Sequence, residues 1–253
     1  MAEVKKPINS SNNKNKIKIW DIWVRIFHWS LLLLVGLSFY SGKFGGLDFV
    51  LPIKNTVIFN MDVHVWSGLA ILGLILFRTI WGFVGSTTAR FSYIFESIRK
   101  LPNYLRKMFI EKTTFIAGHN PAGGIAVLII ITMLFMQTIT GLFSQDDSFF
   151  ATKGPLSFLV EDTTSKQITQ IHAQIWNYIL VPLIALHICA NLFYWIIKKQ
   201  DLIQGMITGK RTIHSNSKNP KLYFAPTLLG ILAGAVAIII IVIITKAEVL
   251  VKI

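Results

Sequence analysis

The chain contains a single cysteine, Cys189, in 253 residues. That excludes an intrachain disulfide, a cysteine-ligated iron–sulfur cluster and a Cys-rich zinc site. No CxxCH motif occurs, so a covalently attached c-type haem of the usual kind is excluded too. Cys189 lies inside a long apolar run and reads as a small packing residue. Charge is also scarce: 15% of residues are charged, against 53% hydrophobic. A soluble domain of this length would be more polar. Acidic residues number 12 against 25 basic ones, and none falls well inside an apolar run. The formal charge of +13 could suggest nucleic acid. Its placement in alternate loops is instead a membrane-orientation signal, so no nucleic-acid partner is expected.

What is abundant is apolar length. Five runs can cross a hydrocarbon core of ~30 Å. They cover about 24–40, 62–84, 121–143, 170–199 and 226–244. The fold class is therefore all-α, a polytopic membrane bundle. Residues 19–200 hold four of these runs, and 226–253 hold the fifth and a short tail. Residues 1–18 form a polar, Lys-rich tail expected to be disordered. With no clear cleavage site after the first apolar run, the N-terminal region reads as a retained signal anchor.

Several local signals refine this. Trp20, Trp23 and Trp29 suit an interfacial aromatic belt. Gly42, Gly45, Gly46 and Pro52 break the loop at 41–61. Phe91, Ile94, Phe95, Ile98, Leu101 and Leu105 recur at helical spacing against Arg99, Lys100, Arg106 and Lys107. That is the pattern of an amphipathic helix on a membrane surface. Asn120 and Pro121 make a cap and first turn for the third span. Residues 201–225 read as a basic linker rich in Ser and Asn.

Lys and Arg fix the orientation. Residues 1–25, 85–121 and 198–221 hold six each, while 41–61 and 144–169 hold two each. The positive-inside rule puts the N-terminus in the cytoplasm and the C-terminus outside.

Histidines then sort by depth. His28 opens the first span, near the cytoplasmic side. His64 opens the second, near the outer side. The fourth span carries His172 near its outer end and His187 fifteen residues later. On a straight helix those two are ~22 Å apart and ~60° apart in azimuth. They cannot share one small ligand. Two layers of two result: His28 with His187, and His64 with His172. Two histidines at one depth on neighbouring helices can take both axial positions of a haem iron. A proton relay or a transition-metal site are the alternatives. A relay would bring Asp or Glu into the spans, and a metal transporter would gather its ligands at one depth. His119 and His214 fall in cytoplasmic loops, where a surface or capping role is expected.

Further residues bear on the layers. Arg78 lies fourteen residues after His64, ~21 Å deeper and on nearly the same face. It can meet a haem propionate or snorkel to the interface. Arg25, one turn before His28, has the same two readings. Gly68 follows His64 by one turn, and Gly36 follows His28 by about two. Either glycine admits a flat macrocycle or a neighbouring helix. Gly230 and Gly234 form a GxxxG, a weak signal for a homodimer.

The segments WDIWVRIFHW, DVHVWSGL, RTIWGFVGSTTARF and GHNPAGG, with the His172–His187 helix and Asn191, resemble the bacterial cytochrome b561 and nickel-hydrogenase cytochrome b group. They cover roughly residues 20–200 in the family's order. The resemblance implies a four-helix core with two haem b groups, whose iron ligands match His28, His64, His172 and His187. It also implies quinone chemistry and electron exchange with a redox partner. That partner would be periplasmic, a multihaem cytochrome or hydrogenase-like subunit. The fifth span departs from the smallest members, which have four. The reading that follows is a membrane cytochrome carrying electrons between the quinone pool and that partner. The alternatives are a stand-alone quinol- or superoxide-handling oxidoreductase, and a haem-free transporter or scaffold.

Overall fold

A computed structural model describes residues 15–44, 46–51, 56–108, 116–146, 152–213 and 220–251. Residues 1–14 of the polar tail, Gly45, Pro52 and His214 lie outside the described residues.

Five helices are long and apolar enough to cross a membrane. The first, α1 (Ile22–Lys43), starts at Asp21, whose carboxylate accepts the backbone N–H of Val24 at 2.8 Å. The strands β2 (Phe49–Leu51) and β3 (Thr56–Ile58) pair antiparallel and lead into α2 (Asn60–Val84). In the first turn of α2, Asp62 accepts from the N–H of Phe59 at 2.9 Å. Each cap satisfies a backbone donor that the helix leaves open.

The connection after α2 differs from a single amphipathic helix. It holds two short ones, α3 (Phe91–Ile98) and α4 (Leu101–Met108). Ile94 of α3 is fully buried, and its Cγ2 lies 3.1 Å from where a β-carbon on Gly124 would stand. The apolar face of α3 thus packs on α5 (Pro121–Phe143). The expected cap is present there: Asn120 Oδ1 accepts from Gly123 N at 2.7 Å.

The fourth span starts earlier than its apolar run, at residue 162. It is α6 (Asp162–Gln174), a π-helical stretch (Ile175–Leu180) and α7 (Val181–Ile196). In the π-stretch the N–H of Val181 reaches back to Trp176 O. Pro182 gives the physical reason. It has no N–H for the carbonyl of Tyr178, and its ring crowds that carbonyl in regular α geometry. One inserted residue turns the lower half by roughly 100°. His172 and His187 still fall within about 60° of one another.

The last span, α9 (Thr227–Val251), packs on α2. Small residues make that possible. Gly230, Ala233 and Ala237 are buried, and a β-carbon on Gly230 would strike the Trp23 ring at 2.2 Å. Gly230 is therefore spent inside the chain, whereas Gly234 has nothing within 4 Å.

The three basic segments meet at one end of the bundle. The strand β1 (Asn15–Lys18) pairs antiparallel with β4 (Lys210–Ile213), so residues 15–18 of the polar tail form a strand. The linker contains α8 (Leu202–Thr208), which ends at Gly209 with φ 76°. A side chain is strained at that φ, and a β-carbon there would lie 2.9 Å from Trp20 O. Ile19 N and Trp20 N both donate to Gly209 O. Thr88 donates to Ile19 O at 2.7 Å, and Thr87 N to Tyr223 O at 3.0 Å.

The tryptophans depart from a lipid-facing belt. Trp20 is 6% exposed. Trp23 packs on Phe77 and Trp81, and Trp29 donates to Met206 O at 3.2 Å. Their rings fill the basic end instead.

Candidate functional site

At the end remote from the basic segments, α1, α2, α5 and α6 enclose a cavity of about 420 Å³. His64 and His172 both line it. Their ring centroids are 6.1 Å apart and their planes meet at 81°. Each ring is held from behind. Ser38 O of α1 lies 2.8 Å from His64 Nδ1. Gln137 O of α5 lies 3.0 Å from His172 Nδ1, and Thr140 Oγ1 is also 3.0 Å away. A carbonyl only accepts, so both Nδ1 atoms carry the proton and both Nε2 atoms keep a lone pair. The Nε2 of His172 accepts from the Gln137 amide at 3.0 Å.

Glycines make room for these rings. A β-carbon on Gly42 would lie 2.7 Å from His64 Nδ1, and one on Gly141 3.1 Å from His172 Cε1. Gly42 is thus not a loop breaker; it sits in the last turns of α1. Gly68 lines the cavity with nothing within 4 Å of its β-carbon position, so it faces open space. Gly36 is exposed and lies away from both.

The basic end holds a second group. His28 is on α1 and His187 on α7. His28 Nδ1 is buried with no hydrogen-bond partner among the described residues. Asn191, one turn after His187, lies 3.3 Å from His187 Nε2 and donates to His187 O at 2.8 Å. Arg78 is 2% exposed, its Nη1 has no hydrogen-bond partner there, and its guanidinium lies over the Phe91 ring at 5.4 Å. Asp21, the acid acting on it, is already engaged by Val24 N and Trp81 Nε1. With Nη1 unsatisfied, this buried guanidinium can take a second anion beside Asp21.

His119 joins this layer, which corrects its expected surface role. Its Nδ1 is buried without a partner, and its ring meets Trp20 edge-on at 4.8 Å. Burial pushes its pKa down to about 3, and the charges of Arg78, His187 and His28 add to the effect. Arg25 also has a different role from the one its position suggested. Its Nε donates to Met206 O at 3.3 Å and its Nη2 to Ile207 O. It caps the C-terminal carbonyls of α8, where a cation is favoured.

The donor set limits the chemistry. Among the described residues no group of three or more His, Cys, Asp or Glu could hold a metal ion. Two imidazoles alone are too few ligands for a bare ion. They suit a metal that brings its own in-plane ligands, as haem does. A metal ~2 Å from each of two facing imidazole nitrogens puts the ring centroids ~6 Å apart. His64 and His172 fit that test.

Sequence reading missed Ser38, Gln137, Thr140 and Gly141, and misassigned Gly42 and His119. The α5 residues carried no signal, because that span has no histidine to draw attention to it. His119 carried one: it sits inside GHNPAGG, directly before the cap of α5.

The family described as Prokaryotic cytochrome b561 matches residues 19–209. Among curated relatives, the "Probable Ni/Fe-hydrogenase B-type cytochrome subunit" of Rhizobium leguminosarum bv. viciae is 25% identical over 219 residues, 78% of this chain and 90% of that one. The "Probable Ni/Fe-hydrogenase 1 B-type cytochrome subunit" of Escherichia coli is 25% identical over 226 residues, 80% of this chain and 93% of that one. No solved structure matches the chain.

Proposed function

The chain belongs to the prokaryotic cytochrome b561 family, and from that premise we propose that it carries electrons across the inner membrane between the quinone pool and a periplasmic redox partner. It is a membrane b-type cytochrome with five apolar helices. Two haem b groups are proposed, one between His64 and His172, the other between His28 and His187. The relatives are named as hydrogenase subunits, so a hydrogenase-type subunit is the partner proposed here. When bound, each haem supplies a one-electron iron couple.

The observation that carries this reading is the far-end pair. Two histidines from separate helices face one cavity, each with Nδ1 on a main-chain carbonyl. That arrangement fixes the tautomer and leaves each Nε2 lone pair as the ligand, with the Gln137 amide that now meets His172 Nε2 giving way to the metal. Gly42 and Gly141 admit the two rings, and Gly68 leaves an open stretch of wall for a flat group. At the basic end, Arg78 supports the second site by offering a buried cation to a carboxylate. Charge bias supports an orientation with the basic end in the cytoplasm and the C-terminus in the periplasm.

The purified protein should contain two b haems by pyridine haemochrome assay. His64→Leu and His172→Leu should each remove the same haem, and His28→Leu and His187→Leu the other. If His28→Leu removed the haem lost in His172→Leu, the pairing would be wrong. One haem per chain would end the two-site reading.

A further inference from the structure

The two histidine pairs are backed differently. At the far end both Nδ1 atoms meet main-chain carbonyls, Ser38 O at 2.8 Å and Gln137 O at 3.0 Å. Side-chain hydroxyls reinforce them: Ser38 Oγ lies 3.3 Å from His64 Nδ1, and Thr140 Oγ1 3.0 Å from His172 Nδ1. Thr140 also donates to Gln137 O at 2.8 Å, tying that carbonyl and the ring into one cluster. At the basic end, His28 Nδ1 is buried with no protein partner among the described residues. The hydrogen bond recorded at the His187 ring is at Nε2, with an amide rather than a carbonyl. Arg78 adds a buried positive charge to that layer alone.

Both differences act in one direction. An imidazole whose N–H donates to a carbonyl is a more basic ligand, which favours the oxidised, more positive metal. A nearby buried cation favours the reduced metal, which carries less positive charge. We propose that the carbonyl-and-hydroxyl collar of Ser38, Gln137 and Thr140 makes the His64/His172 site the lower-potential of the two. The collar's side chains, Ser38 and Thr140, are then positioning residues that act through the rings they hold. With haem bound, His64 and His172 would hold the lower-potential one-electron couple, and His28 and His187 the higher. The order of the two potentials is therefore written into α1 and α5, while the net direction of flow is set by the donor and acceptor at the two ends. This inference rests on the two-haem reading.

The test is an optical redox titration of the full-length protein in detergent with its haems bound. Two one-electron waves are expected. His187→Leu, which spares the far end, should leave the lower one. Thr140→Val should raise the lower wave and leave the upper one in place, and Thr140→Ser should restore the lower. Movement of the upper wave, no movement of either, or an equal shift in Thr140→Ser would overturn the proposal. Should Thr140→Val lose its far-end haem, Ser38→Ala decides: a rise of the lower wave alone supports the proposal, and any other result overturns it. A haem count other than two would instead strike the functional reading, so the two failures are distinguishable.

Discussion

Gly42 and His64 are in contact across the α1–α2 interface: a β-carbon on Gly42 would lie 2.7 Å from His64 Nδ1. That nitrogen is the one bonded to Ser38 O, one turn earlier on the same helix. The glycine therefore sets how close α1 comes to the ring. Gly42→Ala should push His64 off its carbonyl and loosen the far-end site. The measurement is haem content and the reduced-minus-oxidised spectrum of the purified variant. Loss of the haem proposed between His64 and His172 is expected, with a stability cost of about 1–3 kcal/mol from overpacking. Gly36→Ala should change neither, since nothing lies within 4 Å of its β-carbon position. Full haem content in Gly42→Ala would mean that the contact yields without consequence.

Much of this architecture was legible because membranes simplify the code. Apolar length located all five helices, and the cap at Asn120 was readable to the residue. Histidine depth followed from charge bias and rise per residue alone, and it pointed to the two histidines that share a cavity. The parts that stayed hidden depend on neighbours. Nothing in α5 announces that the carbonyl of Gln137 faces a ring 35 residues away. Arg25 lies one turn from His28, yet it turns to the carbonyls of α8, an element that a basic Ser- and Asn-containing linker does not advertise. Trp20 and Trp23 look like interfacial anchors by composition, but the basic segments fold over them. The start of the fourth helix at residue 162 was missed because its first two turns are polar, outside any hydropathy run.

The fifth helix offers a separate prediction. Gly230 packs on Trp23, while Gly234 faces open space. Gly230→Ala should force the Trp23 ring or α9 aside and cost about 1–3 kcal/mol. The thermal midpoint in detergent should fall, with the His64/His172 site unaffected, because α9 does not line that cavity. Gly234→Ala should leave the midpoint unchanged. An equal loss in both variants would show that the two glycines act together, as a dimerising GxxxG would require.

Acid sensitivity at the basic end supplies the last prediction. Burial holds His119 neutral, with a pKa lowered from 6.5 to about 3. Below pH 6.5 the unfolded chain takes up a proton at this position that the folded chain refuses until about pH 3. The unfolded state thus binds more protons across that window, and stability falls as pH drops through it. The slope from one such group is at most about 1.4 kcal/mol per pH unit. Protonation would also place a second cation beside Arg78, which already has a nitrogen without a protein hydrogen-bond partner among the described residues. His119→Gln keeps a polar side chain and removes the titration. Thermal midpoints measured from pH 7 down to pH 4 should fall less steeply in His119→Gln than in the native protein. The other histidines are present in both proteins, so the difference between slopes reports His119 together with its coupling to His28 and His187. Parallel slopes would mean that water or a bound anion reaches Nδ1 and carries the proton there at ordinary cost.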